Sequence, residues 1–246
     1  MPIIGLMLII QIAFAVHVVK TGRELYWVYI IILIPGIGVG IYFFTQVLPE
    51  IGQSRTVHTA KNSLIKALDP QRELRKKKTQ LELANTLDNK LKLAQECLEA
   101  NMPKDAIELF QACLTGVGQG DADTMVKLAQ AHFINNDYQQ TLQVLDEITS
   151  INPDYKSTDG HLLYARSLEK LNKFEEALQE YAIVSENYPG EEARVRYGLL
   201  LLQMDKTDTA NQLFNQTISR SKLAPKFYQK KEKYWIKLAK SNLQKI

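Results

Sequence analysis

Two cysteines and four histidines are the side chains with the widest chemical range in this sequence. Cys97 and Cys113 form no CxxC pattern and no cysteine–histidine cluster, so neither a metal site nor a redox pair is indicated. Both fall on apolar positions of helical patterns, where a free thiol behaves as a small buried hydrophobe. His132 stands at a position suited to a packed aromatic ring. Gly36, Gly38 and Gly40 have the spacing of a tight loop. They sit inside an uncharged run, however, and lack the strand before and the helix after that a phosphate-binding loop requires. No set of acids, bases and nucleophiles assembles a reaction centre, so the expectation is no enzyme, no cofactor and no metal. Arg75, Lys76, Lys77 and Lys78 have two readings. They could contact anionic lipid headgroups, each charge contributing about 1 kcal/mol near a surface, or form an exposed helical turn that only sets orientation. Nucleic acid is not expected, because neither interleaved aromatics nor a reading motif accompanies them.

The elements that carry these residues repeat. Four segments beginning at Leu87, Ala122, Thr158 and Glu191 are 35, 36 and 33 residues apart. In register they read Leu93-Ala94…Ala106…Phe110, then Leu128-Ala129…Thr141…Leu145. The third is Tyr164-Ala165…Ala177…Tyr181 and the fourth Tyr197-Gly198…Ala210…Phe214. This period and these small residues resemble the tetratricopeptide array. Ala94, Ala129, Ala165 and Gly198 then lie where the first helix of each pair meets the second. Ala106, Ala177 and Ala210 lie where the second meets the next repeat. The resemblance implies an all-α solenoid whose first helices line a peptide groove. Leu91, Val126, Leu162 and Val195 would occupy one groove position, Gln95, Gln130, Arg166 and Leu199 the next, and Phe133 a position one turn on. Arrays that grip a terminal carboxylate carry a Lys/Asn clamp at such sites, and this chain lacks it. A mixed apolar groove rimmed by acids suits an amphipathic helix or an extended segment with basic flanks. Tyr234-Trp235-x2-Leu238-Ala239 repeats the opening of a first helix with no second helix after it. Two readings stay open for it: a cap on the last repeat, or an internal occupant of the groove.

Charge divides the chain. Residues 51–86 carry net +5, residues 87–218 net −10 and residues 219–246 net +8, while residues 1–50 hold only Lys20, Arg23, Glu24 and Glu50. The overall +3 therefore conceals an alternation. Ile3–Val19 and Leu25–Leu48 are uncharged runs of 17 and 24 residues. As helices they would extend roughly 25 Å and 36 Å, against a hydrocarbon core of about 30 Å. Two antiparallel transmembrane helices are expected. Ala13-Phe14-Ala15 has the form of a signal-peptide cleavage site, but no basic residue precedes the apolar run, which continues past it. Within the second run Pro35 marks a kink, and Gly36-x3-Gly40 is a small-residue face against which either the first span or a second copy of the chain would pack, the latter giving a homodimer. Arg55 and Lys61 follow the second run and, by the positive-inside rule, place both termini in the cytoplasm.

The second run, with Trp27, Ile30 to Pro35-Gly36, Gly38, Gly40 and Tyr42-Phe43-Phe44, resembles the N-terminal hairpin of bacterial cardiolipin synthases and other phospholipase D-type proteins. That resemblance covers about fifty residues. The paired His-x-Lys motifs of the family's catalytic half are absent: His58-Thr-Ala-Lys61 has one residue too many. The hairpin is thus expected as an anchor without the chemistry. Taken whole, the chain resembles membrane-anchored tetratricopeptide proteins of Gram-negative bacteria. The expected organisation is a transmembrane hairpin (1–49), a basic linker and leading helix (50–86), four divergent repeats (87–225) and a capping helix (226–246). The expected function is an inner-membrane scaffold that joins protein partners on the cytoplasmic side. The alternative is an accessory subunit of phospholipid or envelope biosynthesis.

Overall fold

A computed structural model describes residues 2–49 and 69–243, which fall into two compact units divided between Pro70 and Gln71. In the first unit, helix α1 (Pro2–Lys20) turns through Gly22 into α2 (Tyr26–Leu33). The second apolar run does not continue as one helix. Pro35 has no N–H to give, and Gly36 adopts a left-handed φ of +80°, so α2 stops and α3 (Ile37–Tyr42) restarts the chain. A π-helical turn, Phe43–Val47, follows. Among the described residues no helix is long and apolar enough to cross a membrane, and the expected second span is divided between α2, α3 and this turn. Gly38 is held by the break: a Cβ there would lie 2.3 Å from the Ile30 carbonyl oxygen. A Cβ at Gly36 would meet Met7 of α1 at 2.6 Å, whereas one at Gly40 would have nothing within 4 Å among the described residues.

Val18, Trp27, Ile31 and Tyr42 form the core of this unit. Its polar groups turn inward. Gln11 Nε2 donates to the Ile31 carbonyl at 2.8 Å, His17 Nδ1 lies 3.0 Å from the Tyr42 hydroxyl, and Arg23 donates to Gln46 Oε1 at 3.1 Å. Its apolar side chains turn outward, among them Leu8, Ile9, Ile12, Val19, Tyr29, Ile32, Leu33, Ile37 and Phe44.

The second unit begins with α4 (Arg72–Leu83), with Gln71 at its N-cap position. Arg55, His58, Lys61 and Lys66 lie outside the described residues. Four helix pairs follow: α5 (Leu87–Glu99) with α6 (Pro103–Cys113), α7 (Ala122–Ile134) with α8 (Tyr138–Ile151), α9 (Thr158–Lys170) with α10 (Phe174–Asn187), and α11 (Glu192–Gln203) with α12 (Thr207–Leu223). Each helix packs on the next in sequence, and each second helix packs on the first helix of the following pair. This is the tetratricopeptide solenoid that the repeat implies.

The local chemistry repeats as well. Thr86, Asp121 and Ser157 cap the first three pairs, each oxygen accepting from the backbone N–H three residues on. At the turn inside each pair a left-handed residue ends the first helix: Asn101, Asn136, Asn172 and Asp205, with φ between 58° and 65°. The following N–H bonds back to the carbonyl five residues earlier in every case, for example Met102 to Cys97 at 2.8 Å, so all four turns close as Schellman motifs.

Ala94, Ala129, Ala165, Ala106, Ala177 and Ala210 are wholly buried, as contact positions between helices should be. At Gly198 the approach is closer, since a Cβ there would lie 2.6 Å from the Phe214 ring. The last segments, α13 (Lys226–Lys231) and α14 (Lys233–Leu243), lie against α12, and α14 also touches α11. Ala239 enters the core with Trp235, Leu238 and Leu243 packed on it. The fourth pair lacks a capping side chain of its own. Glu232 supplies one from the end of α13, its Oε2 accepting from the Glu191 N–H at 3.0 Å. Glu191 is fully buried and is held further by Arg194 Nη1 at 2.7 Å and the Tyr228 hydroxyl at 2.8 Å. Among the described residues no array core residue precedes Leu74 and no hairpin core residue follows Val47, so each unit carries a core of its own.

Candidate functional site

The first helices of the repeats enclose a groove of about 1000 Å³. Gln95, Val126, Gln130, Phe133, Leu162 and Arg166 line it together, joining residues of α5, α7 and α9. Leu91, Val195 and Leu199 do not line it: Val195 is fully buried in the core, and Leu91 and Leu199 pack beside the core clusters. Leu162 is also nearly buried and forms floor more than wall. Of the expected groove row, the residues that fall on this cavity come from the first three repeats, without Leu91. In the fourth, the Leu199–Leu202 run joins the core shared with the C-terminal helix.

Arg166 is the central feature. Its guanidinium stacks over the Phe133 ring, 4.5 Å from the centroid, and its Nη1 is 3.6 Å from Glu192 Oε1. Glu192 Oε1 also accepts from Arg196 Nε at 2.7 Å, and Arg196 in turn stacks over Trp235 at 4.9 Å. One carboxylate thus serves two guanidiniums in a ladder from Phe133 to Trp235. Arg166 Nε is buried without a hydrogen-bond partner among the described residues. Burial, and after it the charge of Arg196, lower the Arg166 pKa from its ordinary value. A guanidinium offers five donors, and this one has donors left over for an acceptor brought by a ligand. Asp123, Lys127, Asp159 and Lys170 give the rim both signs of charge. Tyr155 closes one side. Its hydroxyl donates to Asp123 Oδ1 at 2.6 Å, and burial, followed by that bond, pushes its pKa up to about 12. The groove offers stacking surface, an apolar floor and unsaturated hydrogen-bond donors.

A second cavity of about 770 Å³ lies between α8 and α10. It contains a histidine–carboxylate pair that the sequence register does not single out, His161 Nε2 with Glu180 Oε2 at 2.7 Å. Ser157, which also lines this cavity, accepts from the Gly160 N–H through its Oγ as the cap of α9. Cys97 and Cys113 are buried free thiols. Burial, then Asp105 and Glu96, push Cys97 up to about 11, and burial raises Cys113. His132 is buried with Nδ1 3.7 Å from Asp137 Oδ2. Among the described residues no group of three or more His, Cys, Asp or Glu is placed to hold a metal ion. Arg75, Lys76 and Lys78 are exposed on α4 and Lys77 is half-buried; Lys76 lies 3.8 Å from Glu73 and Lys77 bonds Gln80.

Residues 99–182 match the family of the anaphase-promoting complex, cyclosome, subunit 3. No curated protein matches the chain. Among solved structures, a crystal structure of MamA is similar at 21% identity and TM-score 0.52, covering 61% of this chain and 86% of its own. A double mutant of MamA from RS-1 is similar at 14% identity and TM-score 0.52, covering 62% and 86%. A thermophilic TPR protein of Thermus thermophilus aligns at 17% identity and TM-score 0.49, covering 59% and 80%. At these identities the likeness is one of fold, an all-helical tetratricopeptide solenoid.

Proposed function

We propose that this protein is a scaffold that holds protein partners in the groove of its tetratricopeptide array and is attached to a membrane by its apolar hairpin. The observation that carries the first half is the Phe133–Arg166 shelf. It is a stacked, desolvated guanidinium with unspent donors at the centre of a groove long enough for several residues of extended chain. Gln95 and Gln130 flank it with side-chain amides, which pair with a peptide backbone whatever its sequence. Support for the second half comes from the polarity of the hairpin. Its hydrogen-bonding groups are matched with one another inside, while its large apolar side chains face outward. In water this arrangement leaves a large apolar surface uncovered; in lipid it is the favourable one. The arms would insert as a pair, with the backbone groups freed at Pro35–Gly36 turned toward α1. The basic residues after the second arm favour a cytoplasmic array.

A photo-cross-linking residue at Gln130, in the full-length chain in cells, should give discrete protein adducts. The same group at Glu147, exposed on α8, should not. Adducts from Glu147 with none from Gln130 would move the function to the other face.

A further inference from the structure

The C-terminal helices close the last repeat with one face, and the opposite face carries more than a cap requires. Glu232 N donates to the Tyr228 carbonyl at 2.8 Å and Ile236 N to the Glu232 carbonyl at 3.0 Å. These bonds close α13 and open α14 on either side of Glu232. Lys233, Lys237 and Lys240 fall at i, i+4 and i+7 on α14, one exposed stripe, and Lys226, Lys230 and Lys231 are exposed on α13. Phe227 and Tyr234, one on each helix, are 75% and 66% exposed. Leu223, at the end of α12, is 90% exposed. The inward face holds Ile236, Ala239 and Glu232, all buried.

A polar outer face suffices to terminate a solenoid. Exposed aromatic and aliphatic side chains set among lysines do not serve that purpose. The acid at 232 is the sole acidic residue between 219 and 243 and is buried against Glu191, so the outward face is cationic without internal compensation. We propose that the outward face of α13–α14 docks on an anionic lipid surface. Lysine stems lie along apolar surface while their ammonium groups reach outward, and aromatic rings settle at the depth of the headgroups. Arg220 is the only arginine in this stretch and stands 3.5 Å from Glu191, so the face has no free guanidinium fork for reading nucleic acid. This inference concerns the array alone and does not depend on the hairpin.

The test uses residues 71–246, which hold a complete core of their own, in sedimentation with vesicles. Phosphatidylcholine vesicles should leave the protein in solution, and mixed phosphatidylcholine–phosphatidylglycerol vesicles should bind it, less so as salt is raised. Lys230→Gln, Lys233→Gln and Lys237→Gln combined should weaken binding roughly a hundredfold, at about fivefold per lysine. Phe227→Ser with Tyr234→Ser should weaken it roughly tenfold at an unchanged melting temperature. Absence of binding to the anionic vesicles would overturn the proposal. So would binding that survives both sets of changes and is lost in Lys76→Gln, Lys77→Gln, Lys78→Gln, which would assign the contact to α4. A single-stranded oligonucleotide bound more tightly than the vesicles, and released by the same lysine changes, would overturn it in favour of nucleic acid.

Discussion

Replacing Arg194 by methionine should destabilise the end of the array by about 3 kcal/mol, the low end of the range for breaking a buried ion pair. The magnitude follows from what is left behind. Arg194 is 5% exposed, its Nη1 reaches Glu191 Oε2 at 2.7 Å, and its Nη2 donates to the Ser185 carbonyl at 2.8 Å. Methionine fills most of the volume but strands both acceptors. Glu191 keeps the Tyr228 hydroxyl, and it keeps Arg220 at 3.5 Å, a contact discounted because Arg220 is solvent-exposed. Those survivors are why the estimate sits at the bottom of the range. Urea unfolding of residues 71–246 measures the loss directly. Hydrogen exchange should show it concentrated in α11 to α14, because each repeat is stabilised mainly by its neighbours. Adding Glu191→Leu should restore part of the stability, since the buried carboxylate is gone while the Ser185 carbonyl still lacks its donor. A single variant that loses less than about 1 kcal/mol, or a double variant no better than the single, would refute the reasoning.

Gly198→Ala should cost about 1–3 kcal/mol, because its Cβ would press on the Phe214 ring inside the core; urea unfolding checks this. Cys97, held up to about 11 by burial, should react with iodoacetamide at pH 8 roughly a hundredfold more slowly in the folded protein than an ordinary cysteine, and at the ordinary rate once unfolded. Its thiolate fraction grows only as pH rises toward 11, so labelling of the folded protein should accelerate through pH 9 to 11. A reporter active only outside the cytoplasm should work when inserted at Gly22 and be silent when fused after Ile246; the reverse pattern would place the array on the other side.

The register of the array was legible because its signal is steric. A position that must be small in every repeat leaves Ala94, Ala129, Ala165 and Gly198 at a fixed period whatever the rest of the sequence does. The helix starts at Leu87, Ala122 and Thr158 agree with it to the residue. The same period recurs in Asn101, Asn136, Asn172 and Asp205, and left-handed turns favour these side chains after glycine. What escaped the sequence depends on contacts distant along the chain. Glu191 and Glu232 are two acids like the many solvated ones around them until folding brings one to the N–H of the other. The Phe133–Arg166–Glu192–Arg196–Trp235 ladder joins four helices, and no local pattern announces it. In the hairpin the sequence marks a kink at Pro35, and the structure goes further: α2 ends there and α3 restarts the chain.

The central claim is that the groove around Arg166 binds extended peptide, and selection from a displayed peptide library on residues 71–246 tests it most directly. Binding of the selected peptides, read by fluorescence polarisation, should weaken at least roughly tenfold in Phe133→Ala and in Arg166→Ala, as for a hot-spot residue. It should be unchanged in Ile183→Ser on the opposite cavity. Peptides that bind the Arg166 variant as well as the parent, or that are lost only with Ile183, would contradict the account.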